Sequence, residues 1–494
     1  MSHGKTNHKQ QKKKTLISNM ALYEPSGIAY DPAKYAILAD PLVKTISPIS
    51  STSFEAGEPI EFLLTGDLVD FRECYLTFKL TNTGDAVANV DYSAYSLIRK
   101  IVLTGPDGAT IDELDSFNVY MTKMLQWKMS ASHLATTGTF FGCSAYSLVG
   151  AEKGLLAADT GNREYILPLD IGMMGSDSLI PLFLTGGLTL RIELEQAATA
   201  LITASTSPGF TLTNVKFQMQ SIRVESSIKN KIRNDMSIQG GLQIQSEAYQ
   251  HIHATCPSSQ LTFKVPLMSA CRSIKSVLAV PRDAFYLTNK TAATISCSTG
   301  NEFSSFHLIN GETQYPISGI KSHIEAYAET LKAMGSTLSS GLNFNQVTYV
   351  NYSTAVPDIT SDVSIGVPSG TSIANTYDDD KIAIALGAGP PVVVDTHTTS
   401  AGYVTSAASF TYPSTSAPLQ PFMIGIDCEA FERDGDRLKS GMTPDNLTLD
   451  WVFDDACSAG HNRHFNNFLV HDTTYVFYAS ADNPLAPTLV KTIK

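Results

Sequence analysis

Apolar and polar residues alternate with a period of two along most of this chain, and the alternating runs come round twice in the same order. In the first half "PIEFLLTG" from Pro59, "YLTFKL" from Tyr75, "LIRKIVLTGPDGATI" from Leu97 and "LTLRIEL" from Leu188 read as strands, with turn signals such as Pro106-Asp107-Gly108 between them. One stretch changes period: Phe117, Tyr120, Met121, Met124 and Leu125 recur at helical spacing, which predicts a helix over Phe117 to Leu125 with Ser116 as its N-cap. The second half repeats the plan. "LTFKVPL" from Leu261 is followed by a second helical rhythm in His323, Ile324, Tyr327, Ala328 and Leu331, with Ser322 in the capping place. The inner spacings agree as well. Tyr120 lies 58 positions after Phe62 and Tyr327 lies 64 after Phe263; Asp170 precedes Leu188 by 18 and Asp427 precedes Leu447 by 20. The halves close on "VKFQMQSIRV" and "FLVHDTTYVFY". Two similar all-β domains in tandem, each with one short helix, are the expectation.

A chain of 494 residues is long enough to split into domains of that size. Residues 1–50 read as a basic and extended arm, because Pro25, Pro32, Pro41 and Pro48 break any helix or central strand. The first domain is placed at 51–225, a polar connector at 226–241, the second domain at 242–480 and a C-terminal tail at 481–494. Within the second domain, residues 336–420 carry the largest departure from the repeat. They are rich in Ser, Thr, Gly, Ala and Pro, and read as a long exposed loop.

Composition narrows the classes. Hydrophobic residues make up 43% and charged ones 17%, as in a folded β-protein. The net charge of −12 argues against a body that binds nucleic acid. The basic charge gathers instead in "MSHGKTNHKQQKKK", five lysines with no acid, an arm suited to nucleic acid, an acidic partner or a membrane face. No run approaches the ~20 apolar residues of a membrane span, and no apolar signal core follows the basic start, so synthesis in a cytoplasm or nucleus is expected. Seven scattered cysteines (Cys74, Cys143, Cys256, Cys271, Cys297, Cys428, Cys457) without a CxxC pair read as reduced thiols. The sequons at Asn289, Asn351 and Asn446 are expected to be unused.

Order and spacing carry a resemblance. "GEPIEFLLTGDLVDFRECYLTFKL" at Gly57, "AYSLIRKIVLTGPDGATIDELDSFNVYMTKML" at Ala94, "HLINGETQYPISGIKSHIEAYAETL" at His307 and "RLKSGMTPDNLTLDW" at Arg437 together resemble the double jelly-roll major capsid proteins of tailless icosahedral DNA viruses. This is the adenovirus-type lineage, and the likeness is nearest to its members in polinton-like viruses, virophages and adintoviruses. The resemblance implies two tandem eight-stranded jelly rolls, homotrimers of near-hexagonal outline, and shells tiled by neighbouring trimers. It also implies partners among penton and minor capsid proteins; the lysines of the basic arm suit it to contact with genome or internal membrane on the inner side of such a shell.

Catalytic motifs are absent: the chain has no GxSxG elbow, Walker loop, HExxH or Rossmann glycine pattern. No catalytic, cofactor or metal residue is therefore assigned. Asp378, Asp379 and Asp380 have the chemistry of a hard-cation site but read as a solvated loop. Cys457, His461, His464 and His471 are zinc-ligand types at spacings that match no standard site. Asp434 and Asp436 read as turn formers. Trp127 and Trp451 stand without a basic cluster, which disfavours base stacking. Two rival readings remain at this stage, a tandem β-sandwich binding module such as a lectin or adhesin, and a glycosidase with a carboxylate pair ~5 to 9 Å apart.

Overall fold

The period-two runs of the first half become eight main strands, β1 (Ala39–Ile46), β2 (Pro59–Leu64), β3 (Leu68–Asn82), β4 (Ile98–Thr104), β5 (Thr110–Asp115), β6 (Arg163–Pro168), β7 (Leu188–Leu194) and β8 (Phe210–Val224), beside the short strands Ser53–Glu55, Ala88–Val90, Ile180–Pro181 and Leu201–Thr203. Their main sheets run in the orders β1-β8-β3-β6 and β2-β7-β4-β5. The second half supplies β9 (Leu242–Cys256), β10 (Thr262–Pro266), β11 (Ile274–Asp283), β12 (Phe303–Asn310), β13 (Thr313–Ile320), β14 (Ile424–Asp427), β15 (Thr448–Phe453) and β16 (Arg463–Tyr478). Their orders are β9-β16-β11-β14 and β10-β15-β12-β13. Adding eight to every strand of the first half gives the second. Each half is thus a sandwich of two sheets with four main strands apiece in jelly-roll order, the larger sheet extended by short strands to six in the first half and five in the second, and the expected double jelly roll is the observed fold.

The computed structural model describes residues 39–86, 88–129, 138, 140–142, 163–203, 205–239, 241–269, 271–284, 287, 295–296, 298, 303–335, 364–367, 374–378, 381–384, 392–395, 408–411, 422–429, 441–453, 462–478 and 489–493. The chain divides into a unit Met1–Asp40, of which Ala39 and Asp40 are described, and a unit Pro41–Lys494 that contains both sandwiches.

Alternation explains the cores. Along β3 the side chains of Leu76, Phe78 and Leu80 are buried while Tyr75, Thr77 and Lys79 are half-buried on the other face. Long strands stay paired by bulging: the β8–β3 register shifts between Thr213 and Lys216 and again between Gln218 and Gln220. Phe62 of β2 meets Phe217 of β8 at 5.9 Å across the first sandwich. Phe263 of β10 meets Phe465 of β16 at 5.7 Å across the second, so the matched phenylalanines bridge the same two strands. Trp451 completes the second core against Phe306 and Phe465, at 5.5 and 4.9 Å.

Helix α1 (Phe117–Lys128) follows β5, helix α2 (Ser226–Gln239) joins the sandwiches, and helix α3 (His323–Ala333) follows β13. The two capping expectations part company. Ser322 caps α3 by accepting from the Glu325 amide at 3.3 Å, while Glu325 accepts from the Lys321 amide at 3.1 Å, a reciprocal arrangement close to a capping box. Ser116 holds the N-cap position of α1 without a side-chain cap, because its backbone is left-handed at φ 53°. The stripe predicted for α3 also needs correction. Its buried residues are Ala326, Thr330 and Leu331, and Ile324 points outward.

Four stretches read from sequence as arm, connector, loop and tail carry regular secondary structure. Ala39–Ile46, assigned to the arm, is the edge strand beside β8, tied by Thr45 Oγ1 donating to Gln218 Oε1 at 2.8 Å. Pro41 is tolerated there because an edge strand has a side that owes no ladder hydrogen bond. Residues 226–241, read as a connector, are mostly α2, whose Lys229 pairs with Asp67 at 2.7 Å. Lys229 and Arg233 both lie over the Phe183 ring, at 5.9 and 5.4 Å. The segment 336–420, read as loop, contains the strands Ser364–Val367, Ala374–Asp378, Lys381–Ile384, Val392–Asp395 and Ala408–Thr411 in two small sheets of their own. In the tail, β17 (Leu489–Ile493) pairs antiparallel with the end of β16.

Candidate assembly surfaces

The most developed site in the described part of the chain is the junction between its two sandwiches. Helix α1 lies in it, and eleven of its twelve residues, all but Lys128, are buried. Its apolar side meets the second sandwich: the Tyr120 ring is 4.8 Å from Tyr249 of β9 and 5.4 Å from Phe468 of β16, and Trp127 is 5.7 Å from Tyr327 of α3. Burial raises the pKa of Tyr120 and of Tyr249 above the ordinary phenol value, so both hydroxyls stay protonated.

A polar clasp runs through the same junction. Lys123 is fully buried and donates to Ser296 O at 3.0 Å and to Ser298 Oγ at 2.8 Å. Asp91, also fully buried, accepts from the Ile295 amide at 2.6 Å and from Ser296 Oγ at 2.5 Å. Two ionisable side chains of the first sandwich therefore shape one short loop of the second. Lower down, Asp112 of β5 accepts from the Tyr475 hydroxyl at 2.6 Å and from the Met173 amide at 2.9 Å. Ser246 of β9 donates to Gly172 O at 2.7 Å. Gly172 is at φ 46°, and a Cβ there would collide with the Asp112 carboxylate, which is why glycine stands at this crossing. The sequence offered one sign of this: Lys123 sits among the apolar positions of its helix, where a surface helix would place it outside.

A polar cavity of about 300 Å³ lies alongside, lined by Lys128, Asp170, Glu247, Lys275, Glu429 and Asp472 among others. Lys275 is 2.5 Å from Glu247 and 3.5 Å from Glu429. Burial raises the Asp170 pKa, opposed by nearby Lys128. The lysines spend their charge on carboxylates already present, and among the described residues no group of three or more His, Cys, Asp or Glu is disposed to hold a metal ion.

The candidates from sequence scatter. His464 and His471 both belong to β16, but an odd spacing of seven puts them on opposite faces of the strand. His464 Nδ1 is 3.3 Å from His253 Nε2, while His471 is buried with Thr473 Oγ1 at 3.0 Å. Cys457 and His461 lie outside the described residues, as do Asp379, Asp380, Asp434 and Asp436; Asp378 ends a strand of the inserted segment. Trp127 and Trp451 are buried core residues. Cys74, Cys256, Cys271 and Cys428 form no disulfide. Asn446 occupies an exposed turn, and Asn289 and Asn351 lie outside the described residues.

Exposed large apolar side chains are spread over both sandwiches and helix α2, Ile238 and Met268 among them. Leu42 and Val43 of β1 are exposed on the first sandwich, and Tyr315, Ile317 and Ile324 on the second. No helix among the described residues is long and apolar enough to cross a membrane.

No protein-family model matches the sequence, and no curated protein matches it. Solved structures do match. A chain of the PBCV-1 virus capsid, in a quasi-atomic model, aligns at a TM-score of 0.54 and 10% identity over 92% of this chain and 98% of its own. A chain of the Sputnik virophage, solved by cryo-electron microscopy, gives 0.51 and 9% over 95% and 92%. The Faustovirus major capsid protein gives 0.50 and 9% over 93% and 94%. The strand order and these end-to-end matches lead to one conclusion: this chain has the double jelly-roll fold of the viral major capsid proteins.

Proposed function

We propose that this chain is a major capsid protein of an icosahedral DNA virus, a structural subunit that assembles as near-hexagonal homotrimers tiling the shell. The observation that supports it best is the extent of the likeness. The match spans 92–95% of this chain and 92–98% of the capsid chains, so it takes in both sandwiches. A binding module needs one sandwich and a ligand cleft; a tile needs two lobes held rigidly, which the buried clasp provides. The lectin or adhesin reading draws no support from the matched structures, and the role assigned here involves no reaction.

Two finer features belong to the same proposal. The basic arm faces the shell interior, where its lysines neutralise genome phosphate or an anionic membrane, and the insertion between α3 and β14 forms the outer tower of the second lobe. Penton and minor capsid proteins are the further partners, the virion shell is the location, and synthesis takes place in the host cytoplasm or nucleus. Electron microscopy of the purified, concentrated protein tests the reading. Threefold particles of hexagonal outline or closed shells are expected, and featureless monomers would overturn it.

A further inference from the structure

Three histidines share one face of the second sandwich at the margin of the junction. Strands β9 and β16 run antiparallel with Thr255 opposite His464 and His253 opposite Asn466. Residues two apart stand on one face, so His251, His253 and Thr255 of β9 accompany His464 and Asn466 of β16. The three rings differ in what they meet. His251 keeps 7% of its side chain exposed, with Nδ1 3.9 Å from Asp115 Oδ2 and Nε2 3.1 Å from Asn466 Oδ1, so both of its nitrogens face partners. His253 is exposed and His464 half-buried, and His253 Nε2 lies 3.3 Å from His464 Nδ1. Thr255, also exposed, brings Oγ1 to 3.2 Å from the same Nδ1.

The spacing of the two nitrogens decides what can join them. Zinc holds imidazole nitrogens at about 2.0–2.1 Å in a tetrahedron, whose neighbouring corners are therefore about 3.3–3.4 Å apart. The observed separation is the tetrahedral one, and it is longer than the ~2.9–3.0 Å at which N–H hydrogen bonds are commonest. The ring centroids are 5.4 Å apart, so the rings point at each other along the line of their nitrogens. Turning each ring about χ2, a broad torsion in histidine, aims both lone pairs at an ion beside that line. Burial, then the charge of Arg282, holds His253 below the ordinary histidine value, which favours the neutral ring that a metal needs. The nearby charges oppose each other: Arg282 of β11, opposite His464, repels a cation, and Asp115 of β5 attracts one.

We propose that His253 and His464 bind a late divalent transition metal, zinc by geometry, with the Thr255 hydroxyl beside it and water in the remaining positions. Among the described residues no three or more His, Cys, Asp or Glu gather around a common point, so the protein supplies two nitrogens. Imidazole suits zinc, nickel and copper, whereas magnesium and calcium prefer oxygen. The ion ties β9, the first strand of the second sandwich, to β16, its central keystone, and stabilises the folded chain by binding it alone. His464 belongs to the zinc-type residues of the sequence, but its partner stands 211 positions away and not in the run around Cys457 and His461. The site is independent of the shell reading.

Calorimetric titration of the chelator-treated, full-length protein with zinc chloride tests the site, together with thermal melts in the presence and absence of excess zinc. The parent is expected to take up zinc with half-saturation at roughly 10 μM, since two ligands supply about half of what a four-ligand structural site does. Its melting temperature is expected to rise with zinc. His253→Ala and His464→Ala are each expected to lose one equivalent of bound zinc and the rise in melting temperature. His307→Ala, on the other sheet of the same sandwich, is expected to keep both. Should either alanine variant misfold, His253→Gln retains a hydrogen-bonding group beside His464 and is expected to fold as the parent does while losing the response to zinc. A parent that takes up no zinc would overturn the site. So would uptake and melting shifts that survive in the His253 and His464 variants, and either result would leave His253 and His464 a hydrogen-bonded pair only.

Discussion

Asp91 and Lys123 show what single side chains contribute to this molecule. Both are fully buried, and each makes side-chain hydrogen bonds to the loop around Ser296. Removing a buried acceptor leaves the Ile295 amide and the Ser296 hydroxyl without that partner, which costs more than the bonds themselves contributed. Asp91→Ala is therefore expected to lower stability by about 3 kcal/mol or more, read as a lower midpoint in denaturant. A change within ~0.5 kcal/mol would mean that the clasp is incidental. Sequence reasoning had no way to pair these residues, since Asp91 and Ser296 lie 205 positions apart. It could see only that Lys123 interrupted an apolar face.

Among the elements, strands were legible and their margins were not. "YLTFKL" and "LTLRIEL" alternate strictly because one face of each is core, and both lie within strands as read. Strand β1 was missed because most of its residues are exposed, which removes the alternation, and because Pro41 argued against pairing. Helix α2 was missed because its sequence is polar and its anchorage comes from Lys229 and Arg233 over Phe183, a contact that no periodicity reports. The helix caps give a test at this scale. Ser322→Ala is expected to cost about 1 kcal/mol through loss of its bond to the Glu325 amide. Ser116→Ala loses no side-chain cap, yet alanine is no more at ease than serine at φ 53°, so only a few tenths of a kcal/mol are expected there. Thermal melts of the two variants side by side read the difference, and equal shifts would refute the assignment of the caps.

At the scale of the whole molecule, the junction carries its own pH dependence. His251 approaches Asp115 of β5 at 3.9 Å, and His253 pairs with His464; Arg282 on the neighbouring strand adds positive charge. Burial, then the charge of Arg282, holds His253 below the ordinary histidine value of about 6.5. Burial likewise lowers His251, against the raising effects of Asn466 and Asp115. The folded state thus favours neutral rings, so stability is full above pH ~6.5 and is lost as the pH falls below it toward the depressed folded values. Asp170 and Asp427, raised by burial, act in the opposite sense. The comparison that isolates the histidines is the parent against His251→Gln with His253→Gln. The melting temperature of the parent is expected to drop more between pH 7.5 and 5.5, and parallel curves would sink the idea. The repeat itself was readable because two sandwiches of one topology must space their strands alike. Which faces the sandwiches press together was not, because α1 and α3 share a rhythm and differ only in what covers them.

The placing of β16 also governs how the protein is made. Each sandwich is finished by a strand that lies at the middle of its sheet: β8 between β1 and β3, and β16 between β9 and β11. A chain leaving the ribosome completes its first sandwich once Val224 has emerged, yet it cannot insert the second keystone until Arg463–Tyr478 have been synthesised. Until then Tyr120 lacks Phe468, its ring partner on β16. A chain that stops short of β16 is therefore expected to leave Tyr120 without that cover, and limited proteolysis of a chain ended before Arg463 would show it as faster cleavage.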